Sequence, residues 1–167
     1  DNYKLNKNDE LYIKLQEKVF NENHIYEHDI KMFNKYGGLS EWEKPKVLDA
    51  GTGFGRHYKA LGDVDKLGID KEQMYIKRAE IRNPLGKFRV AKLENSETCG
   101  PEEFSHVLCM MDTLYNNKPE SMNDIISNFY YWLKSDGVLC MHLYEKLDNI
   151  DPSPREFSMG YEDKNKK

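Results

Sequence analysis

Lys46-Val47-Leu48-Asp49-Ala50-Gly51-Thr52-Gly53-Phe54-Gly55-Arg56 decides how the rest of the chain is read. Lys-Val-Leu is a short β-rich run, and Asp49 stands where such a strand ends. Gly51, Gly53 and Gly55 follow. Glycine enters left-handed backbone without a steric penalty, so the chain can turn tightly there and approach a ligand. From Arg56 through Leu61 the residues read as helix. Strand, glycine loop and helix together open an α/β unit.

The spacing of the glycines separates the ligands such a loop could cradle. A dinucleotide loop runs G-x-G-x-x-G, its last glycine packing helix on strand. Arg56 holds that place here, and the third glycine comes one residue early. No Gly-Lys-Ser or Gly-Lys-Thr occurs anywhere, which argues against nucleoside-triphosphate chemistry. A tight turn with no ligand is the plainer alternative, and the residues that follow weigh against it.

Lys66-Leu67-Gly68-Ile69-Asp70 reads as a second strand ending in an acid. Asp70 lies 21 residues beyond Asp49, the spacing at which α/β nucleotide folds place the carboxylate that bonds a ribose diol. An ionised carboxylate accepts two O–H bonds side by side, which is the demand such a diol makes. Taken alone, Asp70 would serve as an N-cap for a helix over 72–81.

Outside these motifs the chain is ordinary for a folded domain. Its 167 residues suit one domain with a buried core, at 38% hydrophobic and 32% charged. A net charge of −4 leaves no electrostatic footprint for duplex nucleic acid or an anionic membrane, and nucleic acid is disfavoured as a partner. No apolar run is long enough to span a bilayer. Cys99, Cys109 and Cys140 lie far apart with no C-x-x-C pair, and read as buried free thiols of a reducing, cytoplasmic compartment. A catalytic cysteine is the weaker reading. No signal peptide is visible, and a chain opening on Asp1 without an initiator Met reads as trimmed or incomplete.

In chain order, Leu11, Ile13, Leu15, Val19 and Phe20, then Ile25, Tyr26, Ile30 and Phe33, recur at helical spacing. Residues 9–36 therefore read as two amphipathic helices meeting near Asn21-Glu22-Asn23, with Gly37-Gly38 as the stop. Tyr26, His28 and Asp29 are positioned to reach a site they cover. Asn83-Pro84-Leu85-Gly86 ends the helix after Asp70, and Lys87–Ala91 resumes as strand. Phe104–Tyr115 carries a further buried strand, with His106 near its start as a structural histidine. Pro119 begins a helix to Lys134 with Met122, Ile125, Ile126, Phe129, Trp132 and Leu133 inward. Asp136-Gly137 turns into a last strand, Val138–Leu143, whose apolar run predicts burial on both faces.

Val47-Leu48-Asp49-x-Gly51-x-Gly53-x-Gly55 resembles the first motif of the class I S-adenosylmethionine (SAM) methyltransferases. Asp70 stands at that family's ribose acid, Phe104–Tyr115 resembles its fourth motif, and Trp132–Leu139 resembles its turn into the fifth strand. The resemblance covers Lys46 to about Glu145 and rests on the joint order of these stretches. It implies a Rossmann-like three-layer α/β sandwich around a mostly parallel sheet. Residues 44–145 would form the SAM-binding core, 9–36 a helical lid and 146–167 a polar tail of a single domain spanning 1–167.

The resemblance also implies a division of labour. Asp49, Gly51, Thr52, Gly53, Gly55 and Arg56 would hold the methionine moiety, with loop N–H groups offered to its carboxylate. Asp70 would hold the ribose, with Lys71 and Met74 completing the cofactor contacts. Leu93 or Glu94, Met111 and Asp112 would frame adenine and sulfonium. SAM is the implied cofactor, S-adenosylhomocysteine the product, and no metal is implied. Tyr115 and His142 are the candidates for a general base; Tyr26, Tyr115, His142 and Tyr144 for acceptor contacts.

No Asn-Pro-Pro-Tyr or Asp-Pro-Pro-Tyr follows the fourth strand, so a small molecule or a protein side chain is favoured over a nucleic-acid base as methyl acceptor. The last two strands of that family have no counterpart in the sequence. This makes 138–143 an edge strand and a candidate contact for a partner or a second copy. The rival reading is a catalytically inactive, methyltransferase-like module that binds SAM or a partner. An NAD-dependent oxidoreductase fails at Arg56.

Overall fold

The computed structural model describes residues 4, 6–21, 25–111 and 113–143. Strands β1 (Lys46–Ala50), β2 (Asp65–Asp70), β3 (Phe88–Val90), β4 (Phe104–Cys109) and β5 (Leu133–Met141) form one sheet in the order β3-β2-β1-β4-β5. Every pairing is parallel. Helices α1 (Lys7–Asn21) and α2 (Ile25–Tyr36) precede the sheet, and α3 (Arg56–Ala60), α4 (Gln73–Arg82) and α5 (Met122–Trp132) connect its strands. The chain is thus the Rossmann-like α/β fold expected from its motifs.

Alternation along the strands builds a core on each face of the sheet. Leu48, Leu67, Ile69, Val107 and Cys109 pack with Ile125, Phe129 and Trp132 of α5. Val47, Leu108 and Met110 pack on the other face with Ile30 and Phe33 of α2 and with Leu61. His106 lies on this second face and is fully buried. Its Nε2–H donates to the Gly37 carbonyl at 2.6 Å, and its Nδ1 lies 2.7 Å from the Ser105 hydroxyl. The structural reading of this histidine therefore stands, and it ties the end of α2 to the sheet.

The chain order changes direction between β1 and β4. The connection from β3 returns across the sheet to place β4 on the far side of β1. At such a switch point the loops leaving the two strands part, and a crevice opens at their carboxyl ends. Asp49 and Ala50 end β1 on that side, and Cys109 ends β4.

Three expectations are corrected. Leu11 and Leu15 of α1 are exposed, at 59% and 56%, because α1 meets the domain through Ile13, Tyr12 and Glu17 instead. The side chains of Val19, Phe20 and Ile25 lie outside the described residues. Ile126 of α5 is also exposed, since the buried face of that helix runs through Ile125, Phe129 and Trp132.

The largest departure is at β5. It starts at Leu133, directly after α5, and none of its residues is fully buried. Among the described residues it has a neighbour on one side alone, so the apolar run Val138–Met141 lies along an edge. Its register against β4 is also broken: Phe104 faces Leu133, whereas His106 faces Val138.

Candidate functional site

The glycine loop is built around two carboxylates at the ends of β1 and β2. Asp49 is buried, and the Thr52 hydroxyl donates to its Oδ2 at 2.6 Å. Asp70 accepts the Gly53 N–H on Oδ2 at 3.0 Å and the Glu72 N–H on Oδ1 at 2.9 Å. Burial pushes the Asp70 carboxyl above its ordinary value, against the pull of those two N–H donors. Burial pushes Asp49 up as well, opposed by the His57 charge and the Thr52 hydroxyl.

The loop amides are engaged within the protein. Gly51 and Thr52 N–H both donate to the Ile69 carbonyl at 2.8 Å, and Gly55 N–H donates to Thr52 at 2.9 Å. With Gly53 bonded to Asp70, the expectation that these four amides stand open to a ligand carboxylate is corrected. They fix the shape of the loop instead. Gly51 shows why no side chain fits there: at φ +74° a Cβ would lie 2.1 Å from Thr113 Cγ2. Gly55 permits close packing, since a Cβ would stand 3.1 Å from that of Ala79 in α4.

A cavity of about 360 Å³ opens beside this loop at the carboxyl ends of the strands. Its lining includes Gly51, Asp70, Lys71, Met74, Ala91 and Leu93, so five of the residues expected at a cofactor meet around one space. Glu72, Tyr12, Tyr75, Thr113, Asn116 and Asn117 complete the lining, and the motifs did not disclose them. Tyr12 of α1 stacks on Tyr75 of α4, with ring centroids 6.3 Å apart and the planes within 9°. Their hydroxyls lie 3.0 Å apart. Phe54 meets Tyr75 edge-on at 5.1 Å, extending the aromatic wall. Burial and the Tyr12 hydrogen bond raise the Tyr75 phenol well above its ordinary value. Lys71 spans part of the opening and donates to the Asn116 carbonyl at 2.9 Å.

Arg56 is placed elsewhere. Its guanidinium carbon sits 5.0 Å over the Phe54 ring, and its charge interacts with Arg82, Glu17, Tyr26 and Arg78. Glu17 of α1 bonds Arg78 and Arg82 of α4 in the same region, at 2.6 and 2.8 Å. Arg56 opens α3 and turns toward α1 and α4, outside the cavity lining.

Met111, His142 and Tyr26 belong to a second cluster. His142 Nδ1 accepts the Met111 N–H at 2.9 Å, and its Nε2 lies 3.3 Å from Asp29 Oδ1. The other oxygen of Asp29 lies 2.8 Å from His57 Nε2, and Tyr26 meets the His57 ring edge-on. Asp29 is buried, which pushes its carboxyl up, but His57 and His142 together outweigh burial and hold it below its ordinary value. The two clusters meet through the segment leaving β4, where Thr113 Oγ1 donates to the Met110 carbonyl at 2.8 Å and lines the cavity. Tyr115 is exposed and is not part of the cavity lining. Asp112 and Tyr144 lie outside the described residues.

His57 had no motif to announce it, and its role depends on a partner 28 residues away in sequence. The thiols are poor nucleophiles, since burial pushes Cys99 up to about 11 and Cys109 up to about 12. No group of three or more His, Cys, Asp or Glu side chains suited to a metal ion occurs among the described residues. No helix among them is long and apolar enough to cross a membrane.

No protein-family model matches the chain, and no curated protein sequence matches it. Solved structures do share its fold. CalS10 from Micromonospora echinaspora, an amino pentose methyltransferase solved with SAM bound, aligns over 90% of this chain and 61% of its own at TM-score 0.69 and 13% identity. DesVI from Streptomyces venezuelae aligns over 89% of this chain and 62% of its own, at TM-score 0.68 and 16% identity. A TehB-like SAM-dependent methyltransferase from Corynebacterium glutamicum aligns over 80% and 71%, at TM-score 0.63 and 18% identity. The chain spans about three-fifths of the length of CalS10 and DesVI. Five parallel strands with a glycine loop closing on the acid of the second give this chain the Rossmann-like fold of the class I SAM-dependent methyltransferases.

Proposed function

We propose that the protein is a SAM-dependent methyltransferase acting on a small molecule or a protein side chain. The observation that carries this reading is the bond from Gly53 N–H to Asp70 at the rim of the 360 Å³ cavity. It leaves the carboxylate fixed by two backbone N–H donors and bordering a space of ligand size.

The residues present fit the cofactor in most of its parts. Asp70, with Glu72 beside it, would accept the hydrogen bonds of the ribose diol. Met74, Ala91 and Leu93 offer apolar surface to the adenine, and Asn116 and Asn117 offer amide groups to its polar edge. Tyr12 and Tyr75 offer aromatic faces, which attract a sulfonium-bearing ligand. When bound, SAM supplies a methyl group on a positively charged sulfur, already a good leaving group. The protein's own task is then to exclude water, to hold the ligand's charged end and to align an acceptor. The helical segment 9–36 brings Tyr12 over the cavity and Asp29 to His142, and we assign it the part of a lid. His142 is the favoured general base, and the likeness to an amino pentose methyltransferase favours a small-molecule acceptor.

Calorimetric titration with SAM and S-adenosylhomocysteine tests this, with NAD as control and Asp70→Ala beside the wild type. Binding of both that is lost in Asp70→Ala supports the reading. A folded protein that binds neither overturns it. The engagement of the loop amides favours one second reading, a module of this fold that acts through a partner without methyl transfer. In that case SAM binding, if present, accompanies no turnover.

A further inference from the structure

Between β3 and β4 the chain has no strand or α-helix to shape it, only a single 3₁₀ turn at Ser96–Thr98. Side chains hold its backbone. Four carbonyls of the segment each accept from a side-chain donor: Lys92 from the Thr98 hydroxyl at 2.7 Å, Leu93 from Asn128 Nδ2 at 2.8 Å, Ser96 from Trp132 Nε1 at 3.2 Å, and Thr98 from Arg89 Nη1. Two of these donors, Asn128 and Trp132, stand four residues apart on one face of α5.

Asn128 is the donor from α5 that engages the cavity wall. Leu93 lines the cavity together with Ala91, whereas Asn128 does not line it. Both Leu93 and Asn128 are buried. A carbonyl oxygen can only accept, so the side-chain amide must turn its NH2 group to Leu93. A peptide unit is planar and trans, so holding this carbonyl also fixes the direction of the Glu94 N–H. The helix that carries the donor is firmly seated. Ile125, Phe129 and Trp132 are fully buried, in the same core as Leu93.

We propose that Asn128 is a positioning residue for the cavity, setting the backbone of Leu93 and with it the wall against which the cofactor's base would lie. The ligand part rests on the methyltransferase reading above and adds to it a residue that touches no ligand. Without the hold, the Leu93–Glu94 peptide is free to turn, and a ligand would have to restore its order on binding. Near-isosteres do not replace Asn128. Asp would set a carboxylate oxygen against the carbonyl oxygen, and Leu supplies volume without a donor. Trp132→Phe is the control, because it removes a donor to the same segment from the same helix, at a residue, Ser96, outside the cavity lining.

The test joins calorimetry with S-adenosylhomocysteine to backbone carbonyl and amide NMR of the ligand-free protein. It uses wild type, Asn128→Asp, Asn128→Leu and Trp132→Phe, each shown to be folded by far-UV circular dichroism. The two Asn128 variants should move the Leu93 carbonyl and Glu94 amide signals. They should weaken S-adenosylhomocysteine binding by about five- to tenfold, the worth of one such hydrogen bond. The loss should be the same for 5′-methylthioadenosine, which shares the base and ribose but lacks the amino acid. Trp132→Phe should lower the urea midpoint at least as much, move the Ser96 signals and leave the affinity within about twofold. Leu93 and Glu94 signals that stay in place in the folded Asn128 variants overturn the proposal. So does a loss of affinity no larger than that of Trp132→Phe, which would mark a role in stability alone. Should neither Asn128 variant fold, the wild-type Asn128 side-chain amide decides: it should shift on S-adenosylhomocysteine binding, and an unmoved amide overturns the proposal. A wild type that binds neither adenosyl compound overturns the methyltransferase reading, while the ligand-free spectra still decide whether Asn128 holds Leu93.

Discussion

The amide of Gly53 donates to the carboxylate of Asp70 across 3.0 Å, joining the glycine loop to the end of the neighbouring strand. Loop shape and ribose acid are therefore one unit, because the group that would hold a diol also holds the turn. Asp70→Ala removes the acceptor of two backbone N–H groups together with the diol's partner. Charge-assisted hydrogen bonds of this kind contribute roughly 1.5–3 kcal/mol each. SAM affinity should fall by about a hundredfold or more, read by calorimetry on a variant whose circular dichroism is unchanged.

The same carboxylate sets opposite pH trends for the apo fold and for the ligand. Burial raises Asp70 in the folded state, so its contribution to stability is fully present below its unfolded value and fades as pH rises through the folded one. Buried Asp49 works in the same direction. A diol, by contrast, is held best by the ionised form. As pH falls through the folded-state values, which lie above the ordinary 3.8, SAM affinity should weaken while Asp70 and Asp49 make the apo protein more resistant to urea. Asp29, lowered below its ordinary 3.8, has the reverse sign: its stabilisation holds above that value and is lost as pH falls through the folded one. Urea midpoints of wild type and Asp29→Asn across pH 7 to 3 should therefore converge at the acid end.

Two glycines of the loop should respond very differently to a methyl group. Gly53 has left-handed backbone at φ +53° but open space where a Cβ would go. Gly53→Ala should cost about 1–2 kcal/mol, the backbone penalty alone. Gly51→Ala adds a clash with Thr113 Cγ2 at 2.1 Å and should cost clearly more. Thr113→Ala removes that atom and leaves Cβ at 2.8 Å, so the double variant should recover part of the difference. A double-mutant cycle of urea unfolding measures the coupling, which should be near zero for the pair Gly53 and Thr113.

His106 should matter to folding and not to the ligand. It is fully buried, bonded at both ring nitrogens, and flanked edge-on by Phe33 and Trp42. Burial lowers its basicity, which keeps the ring neutral in place. His106→Leu fills the space but leaves the Gly37 carbonyl without this donor, at a cost of about 2–3 kcal/mol. SAM affinity, measured at a temperature where the variant is folded, should stay within about twofold of wild type.

The sequence disclosed the fold well because its signals are local and ordered. A glycine loop between strand and helix, an acid at the end of the next strand, and Pro, Gly and Asp punctuation each act within a few residues. Their order is enough to imply the topology. Gly51, Asp70, Lys71, Met74 and Leu93 meet at one cavity for the same reason, since they sit at strand ends that the topology aligns or, for Met74, in the first turn of the helix that follows. Arg56 went elsewhere because helix α3 turns its first side chain toward α1, a direction no spacing rule carries. The bond from Asp29 to His57 and the stack of Tyr12 on Tyr75 join α1 and α2 to the motif region across long stretches of chain. Such meetings are set by tertiary packing and leave no pattern in the residues between. The edge position of β5 was visible as an inference from strand number, yet its apolar run suggested double burial, because hydrophobicity reports the residues and not their neighbours.

That edge has a consequence for how the molecule behaves among its own copies. Between Phe104 and His106, a single residue of β4 is passed while β5 runs from Leu133 to Val138, so Lys134, Ser135, Asp136 and Gly137 bow out of register. Asp136 turns left-handed at φ +63° within the bow, and the charges of Lys134 and Asp136 sit on it. A strand from another molecule would find no straight nine-residue rail to zip along, but a short rail broken by a charged step. Irregular, charged edges of this kind are poorer templates for pairing with another chain than straight ones.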